Sequence, residues 1–213
     1  MKIKTTLFYG RIVLFVFLFF TNFSFSQFNL GTGIHSVKGF NEKSPFLGLA
    51  VFGEKMDDMK SIYGQFSMTL NNKGEDFYAG PYMGNFTYRY NSLELGRRNY
   101  FGEDLEFGIG YYLAEHITVS YNTVGIELKD TTLNVLPSEI PRKGNVLGVY
   151  VGGNIGIQYA FVTGTFFLYA GFNYALFWNP NNTTSSQYVN NGLFSPININ
   201  LNFGFKKTLR FGY

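Results

Sequence analysis

The most constraining feature of this chain is a two-residue alternation of apolar and small polar side chains in its C-terminal half. Along 147–161 the odd positions are almost all large and apolar, while the even positions are mainly Gly, Asn, Gln, Ala and Tyr. The even positions of 166–178 and the odd positions of 197–205 repeat the pattern. Since successive side chains of a strand point to opposite faces, these segments are predicted to be strands with one apolar face.

Alternation of this kind also occurs in soluble β-sandwiches, where the rows along 166–178 and 197–205 would pack on each other in a core. Three observations favour a transmembrane barrel instead. The segments reach the length of about 9 to 11 residues that a tilted membrane strand needs. Their polar face is small and uncharged, which suits a narrow lumen, and aromatic residues such as Tyr174 and Trp178 lie toward strand ends. We therefore predict an all-β, closed, antiparallel, up-and-down barrel that spans a membrane.

The N-terminus has the plan of an export signal. Basic residues precede the apolar run 12–20, and the small residues Ser24 and Ser26 stand before a cleavage site. The apolar run is too short for a membrane anchor, because a transmembrane helix needs about 20 residues. We predict that residues 1–26 are a cleaved signal peptide and that residues 27–213 form the barrel domain.

The charge balance argues against a polyanionic partner. The formal net charge of +3 depends on Lys2, Lys4 and Arg11, which lie in the predicted signal peptide, so the mature chain is neutral overall. A nucleic-acid-binding protein needs a basic surface, and we expect no nucleic-acid partner. The chain also contains no cysteine, which excludes disulfides and an N-terminal lipid anchor on cysteine.

The number of strands is either eight or ten, since single-chain bacterial barrels have an even number, and ten is narrowly favoured. If both chain ends lie on the periplasmic side, tight inner turns alternate with longer outer loops. In this scheme Asn91–Ser92, Glu115–His116 and Glu54–Lys60 are inner turns, and Gly102–Asp104 is an outer loop. Either strand number gives an interior that side chains can largely fill. The predicted strands are 28–37, 46–52, 62–70, 82–90, 93–101, 105–113, 117–128, 146–161, 165–178 and a last strand from 193 onward.

The C-terminal residues continue the apolar row of the last strand through Leu209, Phe211 and Tyr213. Lys207 falls in the same row, and a lysine near the middle of a bilayer would cost about 2–4 kcal/mol. Two solutions are open. Either a bulge at Lys206–Lys207 resets the register, or the membrane strand stops near Phe205.

The export signal, the Gly-rich strands LEFGIGYYL and NVLGVYVGGNIGIQYAF, and the aromatic C-terminus together resemble the small outer-membrane β-barrel proteins of Gram-negative bacteria. The likeness covers nearly all of residues 28–213. It implies a place in the cell outer membrane, contact with outer-membrane lipid, insertion by the barrel-assembly machinery, and a monomer. Members of this family include structural barrels, adhesion barrels with projecting loops, narrow channels for small or hydrophobic solutes, and a few lipid-modifying enzymes. The resemblance therefore leaves the activity open.

Four charged residues on neighbouring predicted strands are assigned to the lumen: Arg89, Glu94, Arg98 and Glu106. Charges buried in a lumen must be paired, because an unpaired buried charge is very costly. We predict an Arg–Glu network that plugs the barrel. The functional alternative is a gate or selectivity site for a small solute.

The sequence offers little for catalysis, a metal or a cofactor. Its histidines are His35 and His116. Barrel enzymes of the resembled family place a His, a Ser and an acidic residue on the outer wall, and neither histidine has neighbours with the family's spacing. We expect no catalytic residue, metal site or cofactor, and a structural role or one mediated by the outer loops. The loops 129–145 and 179–192 are where an extracellular ligand or surface would be recognised.

Overall fold

The computed structural model describes residues 28–39, 46–70, 73–79, 82–102, 107–128, 143–181 and 195–209. The predicted signal peptide lies outside these ranges, as do Glu106, Phe211 and Tyr213. The described residues contain no helix long and apolar enough to cross a membrane.

The described chain is a closed antiparallel β-sheet. β1 pairs with both β2 and β9, and β5 pairs with both β3 and β6, so the sheet closes on itself. Within the described residues β4 pairs with β5 alone. β3 and β4 pair with successive halves of β5 and together form one barrel strand, which makes the fold an eight-strand barrel. The strands are β1 (Phe28–Gly39), β2 (Phe46–Asp57), β3 (Lys60–Thr69), β4 (Lys73–Ala79), β5 (Tyr82–Phe101), β6 (Gly108–Leu128), β7 (Lys143–Phe161), β8 (Gly164–Pro180) and β9 (Ile197–Leu209).

The predicted closed antiparallel barrel is confirmed, and the preference for ten strands over eight is wrong. β5 and β6 are each continuous where two strands were predicted. Asn91–Ser92 and Glu115–His116, predicted as turns, lie inside the long β5–β6 ladder. Polar residues in an outward row interrupt the apolar pattern, but they leave the backbone N–H and C=O groups free to continue the ladder with the neighbouring strand.

Two-residue turns close two of the hairpins at one end of the barrel, which we call the turn end. Asp58–Met59 joins β2 to β3, and Val162–Thr163 joins β7 to β8. β5 finishes and β6 begins at the same end, where residues 103–106 lie outside the described residues. Asp58 has a φ of 53°, a left-handed conformation that Asp tolerates in tight turns. Of the predicted outer loop Gly102–Asp104, Gly102 lies at the turn end, whereas Glu103 and Asp104 lie outside the described residues.

The opposite end, which we call the loop end, has the two longest connections along the sequence, between β6 and β7 and between β8 and β9. The strand ends there are joined through residues 40–45, 80–81, 129–142 and 182–194, which lie outside the described residues. β1 begins and β9 finishes at the turn end, where Phe28 pairs with Leu209. Both ends of the described chain thus lie at the turn end.

The two faces of the sheet have opposite character. The apolar rows predicted along β7, β8 and β9 lie on the outer wall, where Ile155 is 64 % exposed and Phe172 is 60 % exposed. A register shift between Val149 and Tyr150 interrupts the strict alternation of β8 after Ala175, where Leu176, Phe177 and Trp178 are all exposed. The inner face is lined mainly by Asn, Gln, Ser, Thr and Tyr, together with a few charged residues. This arrangement is apolar outside and polar inside, the reverse of a soluble protein.

The last strand keeps one register through both lysines. β9 pairs regularly with β1 as far as Leu209, so neither a bulge nor an early stop is present. Lys206 points into the barrel and is buried, while Lys207 is exposed on the outer wall near the turn end. A lysine at that end lies close to the edge of the apolar wall, where its charge costs far less than at the middle.

Candidate functional site

The interior near the turn end contains a buried ionic cluster centred on Glu54, whose carboxylate accepts five hydrogen bonds. Oε1 accepts from Ser61 Oγ at 2.7 Å, from Arg98 Nη1 at 3.1 Å and from the Tyr100 hydroxyl. Oε2 accepts from Lys206 Nζ at 2.8 Å and from Asn29 Nδ2 at 3.3 Å. We call this set the Glu54 cluster: Asn29, Glu54, Ser61, Arg98, Tyr100 and Lys206.

The Glu54 cluster joins strands that are far apart in the sequence. Its members come from β1, β2, β3, β5 and β9, and each occupies an inward position of its strand's alternation. Glu54 and Lys206, for example, are separated by 152 residues. A carboxylate that is fully buried and bonded to two cations fixes these strands relative to one another, because loss of either partner would leave an uncompensated charge.

The Arg98 guanidinium is enclosed by aromatic rings as well as by Glu54. Its Cζ lies 4.0 Å from the centre of the Tyr63 ring, 4.9 Å from that of Tyr112 and 5.6 Å from that of Phe52. Such cation–π contacts are strongest where water is excluded, as it is around this side chain. Arg98 is therefore buried in an aromatic cage and has one ion-pair partner, Glu54.

A second polar group lies above the cage, on the side of the loop end. The Tyr63 hydroxyl donates to Glu94 Oε1 at 2.6 Å and accepts from Asn154 Nδ2 at 3.3 Å. His116 Nδ1 lies 3.5 Å from Glu94 Oε1, and His116 Nε2 is hydrogen-bonded to Asn173. These contacts connect β3 and β5 with β6, β7 and β8 across the lumen.

A third set of hydrogen bonds crosses the barrel between strands on opposite sides. The Tyr169 hydroxyl of β8 donates to Gln65 Oε1 of β3 at 3.0 Å. Asn202 Nδ2 donates to the same oxygen at 3.1 Å. Since β3 and β8 are separated by three other strands on one side of the barrel, this bridge passes through the middle of the lumen.

Large side chains fill the lumen between these groups. Gly156 provides the space for the Tyr112 ring and Gly204 that for Phe167, since a Cβ at either glycine would overlap the ring. The side chains buried to more than 98 % are Arg98, Tyr63, Tyr112, Tyr150, Tyr169, Phe52, Gln65, Glu54, Val37 and Val124. From the turn end to the middle of the barrel, the lumen is a packed core, as expected for a barrel of this size.

Of the four charged residues predicted to line the lumen, two do so, one lies on the outer wall and one lies outside the described residues. Glu94 and Arg98 are buried inside the barrel, but they bind different partners: Glu94 contacts Tyr63, and Arg98 contacts Glu54. Arg89 lies on the other face of β5 and is exposed, because one continuous strand replaces the two predicted strands and reverses its assigned side. Glu106 lies outside the described residues.

Glu54 and Lys206 are central to the interior and were not predicted as site residues. Glu54 had been assigned to an inner turn, yet it continues the inward even-numbered row of β2 that includes Ala50 and Phe52. Lys206 continues the even-numbered polar row of β9. If the two-residue alternation of β2 and β9 is continued beyond the apolar residues of each strand, it places both side chains in the lumen.

Both histidines point into the barrel. His35 is 3 % exposed and His116 is 5 % exposed, whereas Ser36 and Glu115 lie on the opposite faces of the same strands. A His, Ser and acid set on the outer wall is therefore not formed by these neighbours. Within the described ranges, no group of three or more His, Cys, Asp or Glu side chains is arranged to hold a metal ion.

Comparison with known proteins gives similarity in structure alone. No protein-family model matches the chain, and no curated protein matches its sequence. A major outer membrane protein from Thermus thermophilus has a similar crystal structure, with a TM-score of 0.56, 11 % identity, and coverage of 86 % of this chain and 99 % of that one. Neisserial surface protein A gives a TM-score of 0.49 with 10 % identity, over 85 % of this chain and 95 % of that one. The likeness to the Thermus protein shows a shared fold.

Proposed function

We propose that this chain is an exported, non-enzymatic barrel of a Gram-negative outer membrane, with a sealed lumen and a structural or loop-mediated role in the envelope. The wall supports the membrane location. Closed barrels satisfy every backbone polar group within the sheet, and an apolar outer face is stable only against lipid or another apolar surface. The fold shared with the Thermus outer membrane protein agrees with this location.

The single observation that carries the proposal is the filled lumen. The Glu54 cluster, the aromatic cage around Arg98 and the bridge from Tyr169 to Gln65 follow one another along the barrel axis. Each consists of buried side chains that are in contact with one another, so no described stretch of this region resembles the water-filled interior of a porin. A barrel of this kind acts through its surface and its loops.

The orientation follows from the two ends. Outer-membrane barrels have short periplasmic turns and longer extracellular loops, so the turn end is assigned to the periplasm and the loop end to the outside. Any extracellular ligand or surface would then meet the connections 129–142 and 182–194. Insertion by the barrel-assembly machinery, removal of residues 1–26 and a monomeric state complete the proposal.

Conductance separates this proposal from a narrow channel. We expect the purified wild-type protein, reconstituted in planar bilayers, to give no discrete conductance steps, because Arg98 and three tyrosines occupy the lumen cross-section. Uniform steps that depend on protein concentration would favour the channel. A change in lipid acylation on expression that is lost in His35→Ala would instead favour a lipid-modifying enzyme.

A further inference from the structure

The outer wall carries an ion pair inside its apolar band. Arg97 Nη2 lies 3.2 Å from Glu115 Oε1, and the two side chains are 71 % and 68 % exposed. Glu115 occupies the centre of the outward row of β6, which has three apolar or aromatic residues on each side of it. These neighbours are Ile109, Tyr111 and Leu113 toward the turn end, and Ile117, Val119 and Tyr121 toward the loop end.

Charges on a lipid-facing wall are costly, and their presence marks a functional surface more often than a structural one. Neither residue contributes to the interior, because both side chains point away from the lumen. The pair also does not close the barrel, since the ladder between β5 and β6 continues on both sides of it. The Arg97–Glu115 pair is therefore a charged site on the outer wall that neither the interior nor the strand ladder accounts for.

A groove leads from this ion pair to the turn end. It is formed where β2, β3, β5 and β6 lie side by side. Its lining contains three cationic side chains and two carboxylates on the outer face, which leaves a net positive charge. We call it the wall groove; its outer-face residues are Lys55, Asp57, Lys60, Ile62, Arg97, Asn99 and Glu115.

The surroundings of the wall groove combine charge with apolar surface. Lys55 and Lys60 lie at its turn-end mouth, beside the tight turn Asp58–Met59. Toward the loop end the outer wall is apolar, with Ile62 65 % exposed and Leu95 59 % exposed. A molecule that fits both parts has an anionic head and a hydrocarbon body, in that order along the barrel axis.

We propose that the wall groove binds the phosphate headgroup of an anionic membrane lipid in the leaflet at the turn end. Lys55 and Lys60 attract the phosphate at the mouth, and Arg97, held by Glu115, supplies a planar donor deeper in the groove. The acyl chains lie along Ile62 and Leu95. The proposal depends on the proposed membrane location but not on the sealed lumen.

Charge decides between a lipid and a second copy of the chain. In a two-fold dimer the same patch meets itself, so two wall grooves of net positive charge would face each other. Such a contact is repulsive in a medium that does not screen charge. An anionic headgroup instead neutralises the excess charge of one groove.

Lipid retention in native mass spectrometry tests this proposal. The protein is transferred from mixed micelles that contain phosphatidylglycerol and phosphatidylcholine, and the bound lipid is counted for each variant. We expect the wild type to retain phosphatidylglycerol preferentially, and Lys55→Gln with Lys60→Gln to lower its retention about tenfold. The matched control is Lys38→Gln with Lys207→Gln, which removes two exposed outward lysines away from the wall groove.

Heat-dependent gel mobility, measured on the same samples, shows whether each variant is a folded barrel. A folded variant that keeps its lipid contradicts the lipid site, whereas an unfolded wild type contradicts the proposed fold and location. Single Lys60→Gln and Arg97→Gln variants keep the test available if the double variant does not fold. Equal retention of the two lipids by the wild type would overturn the proposal. So would equal losses in the groove and control pairs, displacement of the lipid by soluble glycerol phosphate, or a wild-type dimer that the groove variants abolish.

Discussion

Glu54→Gln is expected to lower the free energy of unfolding by about 3–5 kcal/mol, since it leaves two buried cations without their carboxylate. Arg98 and Lys206 both bond to Glu54 and are 1 % and 3 % exposed, so water cannot replace the lost charge. The measurement is urea unfolding in lipid vesicles, followed by the fluorescence of Trp178, the single tryptophan of the chain.

The matched control is Asp57→Asn, three positions along β2, where the side chain is exposed at the turn end. We expect a change within about 0.5 kcal/mol for this variant. Replacing the charged members together, as Glu54→Leu, Arg98→Met and Lys206→Met, is expected to recover most of the loss, because no buried charge then remains unpaired. A loss below about 1 kcal/mol for Glu54→Gln would contradict the role given to the Glu54 cluster.

The second large effect is expected from widening the lumen. Tyr63→Ala, Tyr112→Ala and Tyr169→Ala together remove three of the largest fully buried side chains and leave every charged residue in place. Water should then enter beside Arg98, and the variant should give discrete conductance steps in planar bilayers where the wild type gives none.

An outward set of the same size and residue type provides the control for this variant. Tyr111→Ala, Tyr121→Ala and Tyr159→Ala alter exposed rings of the outer wall and are expected to leave the bilayer current unchanged. Both sets are compared only as protein that keeps its heat-dependent gel mobility. If the triple lumen variant stays folded and gives no conductance steps, another part of the chain blocks the lumen.

The fold was predictable because the alternation is a local property. The rows along β7, β8 and β9 are readable without knowledge of the neighbouring strands, and the structure keeps their predicted sides as far as the register shift in β8. The number of strands, in contrast, depends on how neighbouring strands pair. Asn91 and Glu115 are polar residues in outward rows, and only the β5–β6 pairing shows that the backbone continues through both.

For the same reason, the sequence alone does not predict which buried side chains contact each other. The alternation of side chains along β5 places Glu94 and Arg98 in the lumen. The position of each side chain along the barrel axis, and so its partners, depends on the strand register around the whole barrel. Glu54 therefore meets Lys206 across 152 residues, and Glu94 meets Tyr63 instead of a nearby arginine. Such partners follow from closure of the sheet, which no single strand's pattern contains.

The central claim is that this chain is a closed barrel in the outer membrane. Fractionation of expressing cells, followed by gel mobility of the outer-membrane fraction with and without boiling, tests it most directly. We expect a membrane-borne band whose mobility changes on heating, because the β5–β6 and β1–β9 ladders resist detergent until heat unfolds them. A band in the soluble periplasmic fraction without a heat-dependent shift would contradict it.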